Sequence, residues 1–151
     1  MLFVAALTLV VASCSKNDSI VYENIPATLY VANAGVVQVD DLGANYTLRV
    51  VKGGNADYTV KFTLGVDTRP IVSYNIENNL NLVPLPEGCY TLSAEAATLA
   101  VEQDMISFDI SFNAEQIASL EAGSYALCLA IESDNANINN DKRYLMLCIE
   151  K

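Results

Sequence analysis

The stretch DYTVKFTLGV, residues 57–66, decides the architecture. Tyr58, Val60, Phe62, Leu64 and Val66 share one side of an extended chain, and Thr59, Lys61 and Thr63 share the other. Side chains alternate along a strand with a period of two, so this pattern describes a strand with one face in a core and one in water. NYTLRVV (45–51) repeats it, with Tyr46, Leu48 and Val50 set against Thr47 and Arg49. ISFDISF (106–112) does so again, with Ile106, Phe108, Ile110 and Phe112 set against Ser107, Asp109 and Ser111. Shorter strands are expected in ATLYVA (27–32), VVQVD (36–40), YTLS (90–93) and ATLAV (97–101). Between the first two strands KGGNA (52–56) supplies turn chemistry, since glycine adopts positive φ cheaply.

Two segments break the period. NAEQIASLEAG (113–123) predicts a short helix, with Asn113 as N-cap, Gln116 at the capping-box position, Ile117 and Leu120 facing inward and Gly123 as the stop. TRPIVSYNIENN (68–79) predicts another, with Pro70 acceptable only in its first turn. LNLVPLPEGC (80–89) reads as an irregular crossing loop. Short strands with one or two helical crossings predict an all-β fold, an antiparallel β-sandwich over residues 27–151.

The closing strands are expected to be neighbours. YALCLAI (125–131) places Tyr125, Leu127, Leu129 and Ile131 on one face, and YLMLCI (144–149) places Leu145, Leu147 and Ile149 on one face. The expected register pairs Leu127 with Ile149, Leu129 with Leu147 and Ile131 with Leu145, which sets Cys128 opposite Cys148. That pair is either a cross-strand disulfide, which needs the closer non-hydrogen-bonded pairing, or two reduced thiols. A one-residue slip would carry three large side chains off the buried face. In this register Cys128, Tyr144, Met146 and Cys148 form an apolar strip on the outer face, flanked by Ala126 and Ala130. Together with Tyr30, expected to point outward, the strip is the candidate contact surface for a sugar ring or a neighbouring protein.

The N-terminus carries an address. Leu2–Ala12 is an uncharged apolar run, too short to span a bilayer, and it suits the h-region of a secretory signal. Val11-Ala12-Ser13-Cys14 resembles a bacterial lipobox, in which the chain is cut before a cysteine whose thiol is lipidated. Residues 1–13 are therefore expected to be a lipoprotein signal peptide, and 14–26 a lipidated Cys14 with its tether. No Lys or Arg precedes the apolar run, so the natural start is expected upstream of Met1. Within the tether, Asp18-Ser19-Ile20 resembles the short O-glycosylation motif of Bacteroidetes secreted proteins, which makes Ser19 a candidate for modification. These features imply an outer-membrane or cell-surface protein held to the membrane by lipid.

From residue 45 onward the chain resembles the small β-sandwich domain of unknown function found near the N-termini of Bacteroidetes surface lipoproteins and secreted glycoside hydrolases. Its landmarks are Tyr74-Asn75, Leu85-Pro86, Tyr90 and the strand of Tyr125. The resemblance implies an immunoglobulin-like sandwich and no catalytic residues. One departure is Cys128, near where the family often has proline; another is the expectation that no lectin-like or hydrolase domain, such as family members often carry, follows Lys151.

Composition narrows the chemistry. The chain has 18 acidic and 8 basic residues, a net charge of −10 and no histidine. No basic patch is present for phosphates, so no nucleic-acid partner is expected. The commonest general base is missing, and with it the Ser-His and Cys-His pairs of nucleophilic catalysis. Glu102 with Asp104, and Asp40 with Asp41, read as solvated carboxylates rather than a hydrolytic pair. ESDNANINND (132–141) lacks the order of an EF-hand loop and reads as a solvated hairpin loop. With four cysteines, no zinc spacing and no histidine, no metal or cofactor is expected. The expected function is a lipid-anchored, non-catalytic accessory protein at the cell surface, binding polysaccharide or another surface protein. The alternatives are a structural spacer or assembly domain, or a fimbrial-type subunit that exchanges a strand.

Replacing Cys14 with Ser is expected to release the protein from membranes or leave an uncut precursor. Membrane fractionation with intact-mass measurement checks this, and a mature form that keeps residues 1–13 without acyl mass would refute it.

Overall fold

A computed structural model describes residues 25–151. Residues 1–13, expected to be a signal peptide, and Cys14 and Ser19 lie outside the described residues. The domain is an all-β sandwich of two sheets. One contains β1 (Thr28–Val31), β3 (Tyr46–Gly53), β6 (Tyr90–Leu92), β8 (Met105–Phe112) and β10 (Asn137–Ile138), in the order β10-β1-β3-β8-β6. The other contains β2 (Gly35–Gln38), β4 (Val60–Val66), β7 (Ala96–Leu99), β9 (Ser124–Glu132) and β11 (Tyr144–Glu150), in the order β2-β11-β9-β4-β7, with β5 (Val83–Pro84) also paired to β9. Adjacency of β1, β3, β8 and β6 in one sheet, and of β4, β9 and β11 in the other, is the immunoglobulin arrangement. The sheets are antiparallel except for short parallel pairings of β1 with β10, β2 with β11 and β5 with β9.

The alternating strands do what their pattern dictates. Leu48 and Val50 of β3, Phe108 and Ile110 of β8, and Val60, Phe62 and Leu64 of β4 are buried between the sheets, with Phe62 and Phe108 edge to face. The glycine-rich turn after β3 does not close a hairpin, because β3 and β4 lie in different sheets. There Gly54 holds φ +94, and a Cβ on it would stand 2.8 Å from the Pro26 carbonyl oxygen. The inward parity of β3 extends one residue further than expected. Lys52 is buried and donates its Nζ to the carbonyls of Ala100 and Val101, which pins the turn between β7 and β8.

Both helices form where expected. Asn113 caps α2 (Ala114–Ser119) by accepting from the Gln116 N–H, and Ile117 is buried, but the helix ends at Leu120, ahead of Gly123. Tyr125, at the start of β9, donates its hydroxyl to the Glu121 carbonyl at 3.0 Å. This is the tyrosine corner of immunoglobulin-like sandwiches.

The closing strands are neighbours, but the register differs from the expected one. Leu127 pairs with Leu147, Leu129 with Leu145, and Cys128 with Met146 rather than Cys148. The shift is two residues, and the inward set, Leu127, Leu129, Leu145, Leu147 and Ile149, is unchanged. A two-residue slip preserves faces, so the assignment of side chains to faces is blind to it. Cys128 and Cys148 are thereby diagonal, and both are free, as is Cys89. Segment 132–143 is also more than a hairpin loop. Asn137 and Ile138 reach across to pair with β1 before a 3-10 turn at Asn140–Lys142.

Helix α1 (Arg69–Asn78) lies across the outer face of the second sheet. Its N-cap residue, Thr68, makes no side-chain cap. Asp67 instead accepts from the Arg69 N–H at 3.0 Å, and Pro70 occupies the first turn, where no N–H is needed. At the other end Asn79 takes the left-handed conformation at φ 53. The Asn75 carboxamide then holds the returning chain by both backbone groups of Leu82, donating to its carbonyl and accepting from its N–H at 2.9 Å each. Leu82 and Ile71 bury against Ala126, Cys128, Met146 and Cys148 in a second, smaller core, with Tyr74 and Tyr144 at its margin. Loss of two such bonds costs about 2 kcal/mol. The Asn75→Ala variant should unfold with a free energy lower by about that amount, measured by urea denaturation.

Candidate functional site

The residues singled out from the sequence do not make a surface. Tyr144, Met146, Cys128 and Cys148 are brought together on the outer face of β9 and β11, as parity requires, but α1 covers them. Cys128 and Met146 are 0% exposed and Cys148 is 5% exposed. Burial pushes the Cys128 thiol up to about 12 and raises that of Cys148, so both stay protonated and unreactive. The physical reason is that the strands are unbroken by charge from Tyr125 to Ile131 and from Tyr144 to Ile149, and a strand apolar on both faces has to be covered on both. Tyr30 does not join the group. It projects from the opposite sheet, half-buried, with Lys142 Nζ 5.8 Å from its ring centroid.

The uncovered part of the second sheet is a groove along β4. Its upper hollow, about 360 Å³, is floored by Gly65 and Ala130, which pair across β4 and β9. Thr63, Asp67, Arg69 and Glu132 stand around it. A second hollow of about 530 Å³ continues toward β7 and shares Thr63 and Glu132 as a common wall. Lys61, Thr98, Ser133 and Asn135 line this part. Both volumes fall in the range of small-ligand sites, about 300–1,000 Å³.

The polar groups of the groove are held in place. Asp67 receives Arg69 Nε at 2.9 Å and the terminal guanidinium nitrogen at 2.8 Å, a bidentate pair. Arg143 lies 3.6 Å from Asp67 and 3.5 Å from Glu132, and so bridges the two carboxylates. At the lower end the Asn135 side chain accepts from the Lys61 N–H and donates to the Thr59 carbonyl, while Ser133 donates to the Lys61 carbonyl. These bonds tie the loop after β9 to the edge of β4. The Arg69 guanidinium holds the Asp67 carboxyl below its ordinary range.

Gly65 is the singular residue. It sits inside a strand, where glycine weakens the sheet and often marks the close approach of a ligand or another backbone. Its φ is ordinary, and an added Cβ would meet nothing within 4 Å. No contact within the described residues therefore demands glycine there, and any side chain would stand in the hollow. The outward alternation Thr59, Lys61, Thr63 stops at Gly65, which is the sequence signal for this site. Asp67 and Glu132 carried no such signal, because isolated carboxylates are common in an acidic chain.

Among the described residues no group of three His, Cys, Asp or Glu is placed to hold a metal ion, and no helix is long and apolar enough to cross a membrane.

Strand order, tyrosine corner and two-sheet core define an immunoglobulin-like β-sandwich domain. A family model described as a "-like, N-terminal domain" matches residues 15–138, and the chain belongs to that family of N-terminal domains. No protein of curated function matches it. Among solved structures, a "putative carbohydrate binding protein" from Bacteroides ovatus aligns with TM-score 0.66 at 15% identity over 82% of this chain and 37% of its own. A two-domain protein of unknown function from Bacteroides fragilis aligns with TM-score 0.64 at 10% identity, over 83% and 45%. Bacteroides thetaiotamicron EndoBT-3987, solved with a Man5GlcNAc product, aligns with TM-score 0.58 at 16% identity, over 81% and 30%. At these identities the likeness is one of fold. The chain spans less than half the length of each of the three.

The lowered pKa of Asp67 makes its contribution to stability depend on pH. A carboxyl depressed in the folded state stabilises fully above its unfolded value, about 3.9, and the contribution is lost as pH falls through the folded value. Asp67→Asn should therefore cost about 1 kcal/mol at neutral pH, with the gap to the parent narrowing once the pH drops below about 4. Denaturant unfolding across that range checks it.

Proposed function

We propose that this domain is a non-catalytic glycan-binding accessory module of a lipid-anchored surface protein, and that the groove along β4 is its binding site. The observation that carries the reading is Gly65, a mid-strand glycine without steric need that opens the floor of a groove rimmed by fixed hydrogen-bonding groups. Sugars offer hydroxyls in fixed directions, and Lys61, Thr63, Thr98 and Glu132 present donors and acceptors to them in a frame fixed by Asp67, Arg69 and Asn135. The same fold in a "putative carbohydrate binding protein" of Bacteroides ovatus and in EndoBT-3987, solved with a glycan product, supports the same reading. The lipobox at Cys14 supplies the anchor, and Ser19 lies in the tether beyond it.

The groove has no stacking platform. Phe62 is the one aromatic residue beside it and is buried in the core. Affinity must then come from hydrogen bonds worth about 0.5–1.5 kcal/mol each. Four or five of them correspond to a dissociation constant on the order of 1 mM. Such weak sites work through repetition along a polymer or beside a second binding domain.

Gly65→Gln fills the upper hollow without a backbone clash. A polysaccharide screen by affinity electrophoresis should show retardation of the parent chain and loss of it in this variant, with unfolding midpoints that match. Retardation of both to the same extent would move the site elsewhere, and retardation of neither by any polysaccharide would leave the domain as a spacer.

A further inference from the structure

We infer that the groove selects uncharged glycans over uronate-bearing ones, and that Glu132 sets this preference. This deepens the glycan-binding reading and rests on it. A third hollow, lined by Ser133, Asp134 and Arg143, meets the other two at Glu132, and across the three the cations Lys61, Arg69 and Arg143 are matched by the anions Asp67, Glu132 and Asp134. The balance is local, in a chain whose net charge is −10.

A site built for carboxylated sugars holds a guanidinium whose fork is free for the ligand. Neither arginine here is free in that way. Arg69 spends its Nε and a terminal nitrogen on Asp67, while Arg143 turns one terminal nitrogen toward both Asp67 and Glu132 and keeps its Nε buried, out of a ligand's reach. An incoming uronate would meet the Glu132 carboxylate, which stands 71% exposed where the hollows join. A neutral hexose meets the same carboxylate as a hydrogen-bond acceptor for its hydroxyls. Glu132 is thus a specificity-determining residue through both its attraction for hydroxyls and its repulsion of carboxylates. It is also the easier carboxylate to remove. Its tie to Arg143 is 3.5 Å, and it makes no bond to a helix end, whereas Asp67 holds the start of α1.

The test uses the full chain and its Glu132→Gln variant against two neutral polysaccharides, galactan and mannan, and two polyuronates, polygalacturonate and alginate. The parent should bind at least one neutral polymer and neither polyuronate, with binding unchanged between low salt and about 0.5 M salt, where exposed charges are screened. The variant, with the repelling carboxylate gone and Arg143 facing Asp67 alone, should gain about fivefold in polyuronate affinity. That gain should vanish at high salt, while its unfolding midpoint stays near that of the parent. Parent binding to a polyuronate as tight as to the neutral polymers, or no gain in the variant, overturns the inference and leaves the glycan-binding reading standing. Failure of all four polymers to bind overturns both.

Discussion

The double burial of β9 is the constraint on which the rest of the molecule depends. From Tyr125 to Ile131 every residue of this strand is buried. The inward set, Tyr125, Leu127, Leu129 and Ile131, completes the core between the sheets. The outward set, Ala126 and Cys128 with Met146 and Cys148 of β11, would leave an apolar strip in water. Burying a large apolar side chain is worth about 1.5–3 kcal/mol, so a segment that covers the strip repays much of its ordering entropy. That segment is α1 with its return loop. Its route out of β4 and back along β9 through β5 is the main departure from a plain immunoglobulin sandwich.

The family-like landmarks are explained by this cover rather than by a ligand. Tyr74 packs at the edge of the second core, and Asn75 locks the loop so that Leu82 can enter it. Leu85 donates its N–H to the Ala126 carbonyl and buries in the main core. Tyr90 packs against the same core, and Tyr125 makes the corner that orients β9. Such positions preserve a scaffold while leaving the exposed edge of the sheet at liberty to vary, which suits a fold carried by proteins of different purpose.

The position of the groove follows from the extent of the cover. Helix α1 spans β9 and β11 and leaves the outward residues of β4 uncovered. Its start is held by Asp67, the same carboxylate that pairs with Arg69 and Arg143 at the head of the groove. One side chain therefore serves the helix and the groove together. If the groove binds glycans as proposed, a floor made from glycine and alanine with no ring to stack on would make that binding weak, and the proposed lipid anchor and tether would offset it by holding many copies near one polymer.

The alternation of β3, β4 and β8, the two helices and the inward faces of the closing strands were legible in the sequence, because side-chain period and capping chemistry are local. The register of β9 against β11 was not, since a two-residue shift leaves every side chain on its own face and only the surrounding loops choose between the alternatives. Nor was the fate of the outer strip. An unbroken apolar strand states that both its faces will be covered, but not by which segment, and α1 ends at Asn78, 50 residues before the Cys128 it shields. The groove was hidden for the same reason. Gly65, Asp67, Glu132 and Arg143 are ordinary residues far apart in the chain, and they acquire a meaning only when β4, β9 and the start of α1 fold against one another.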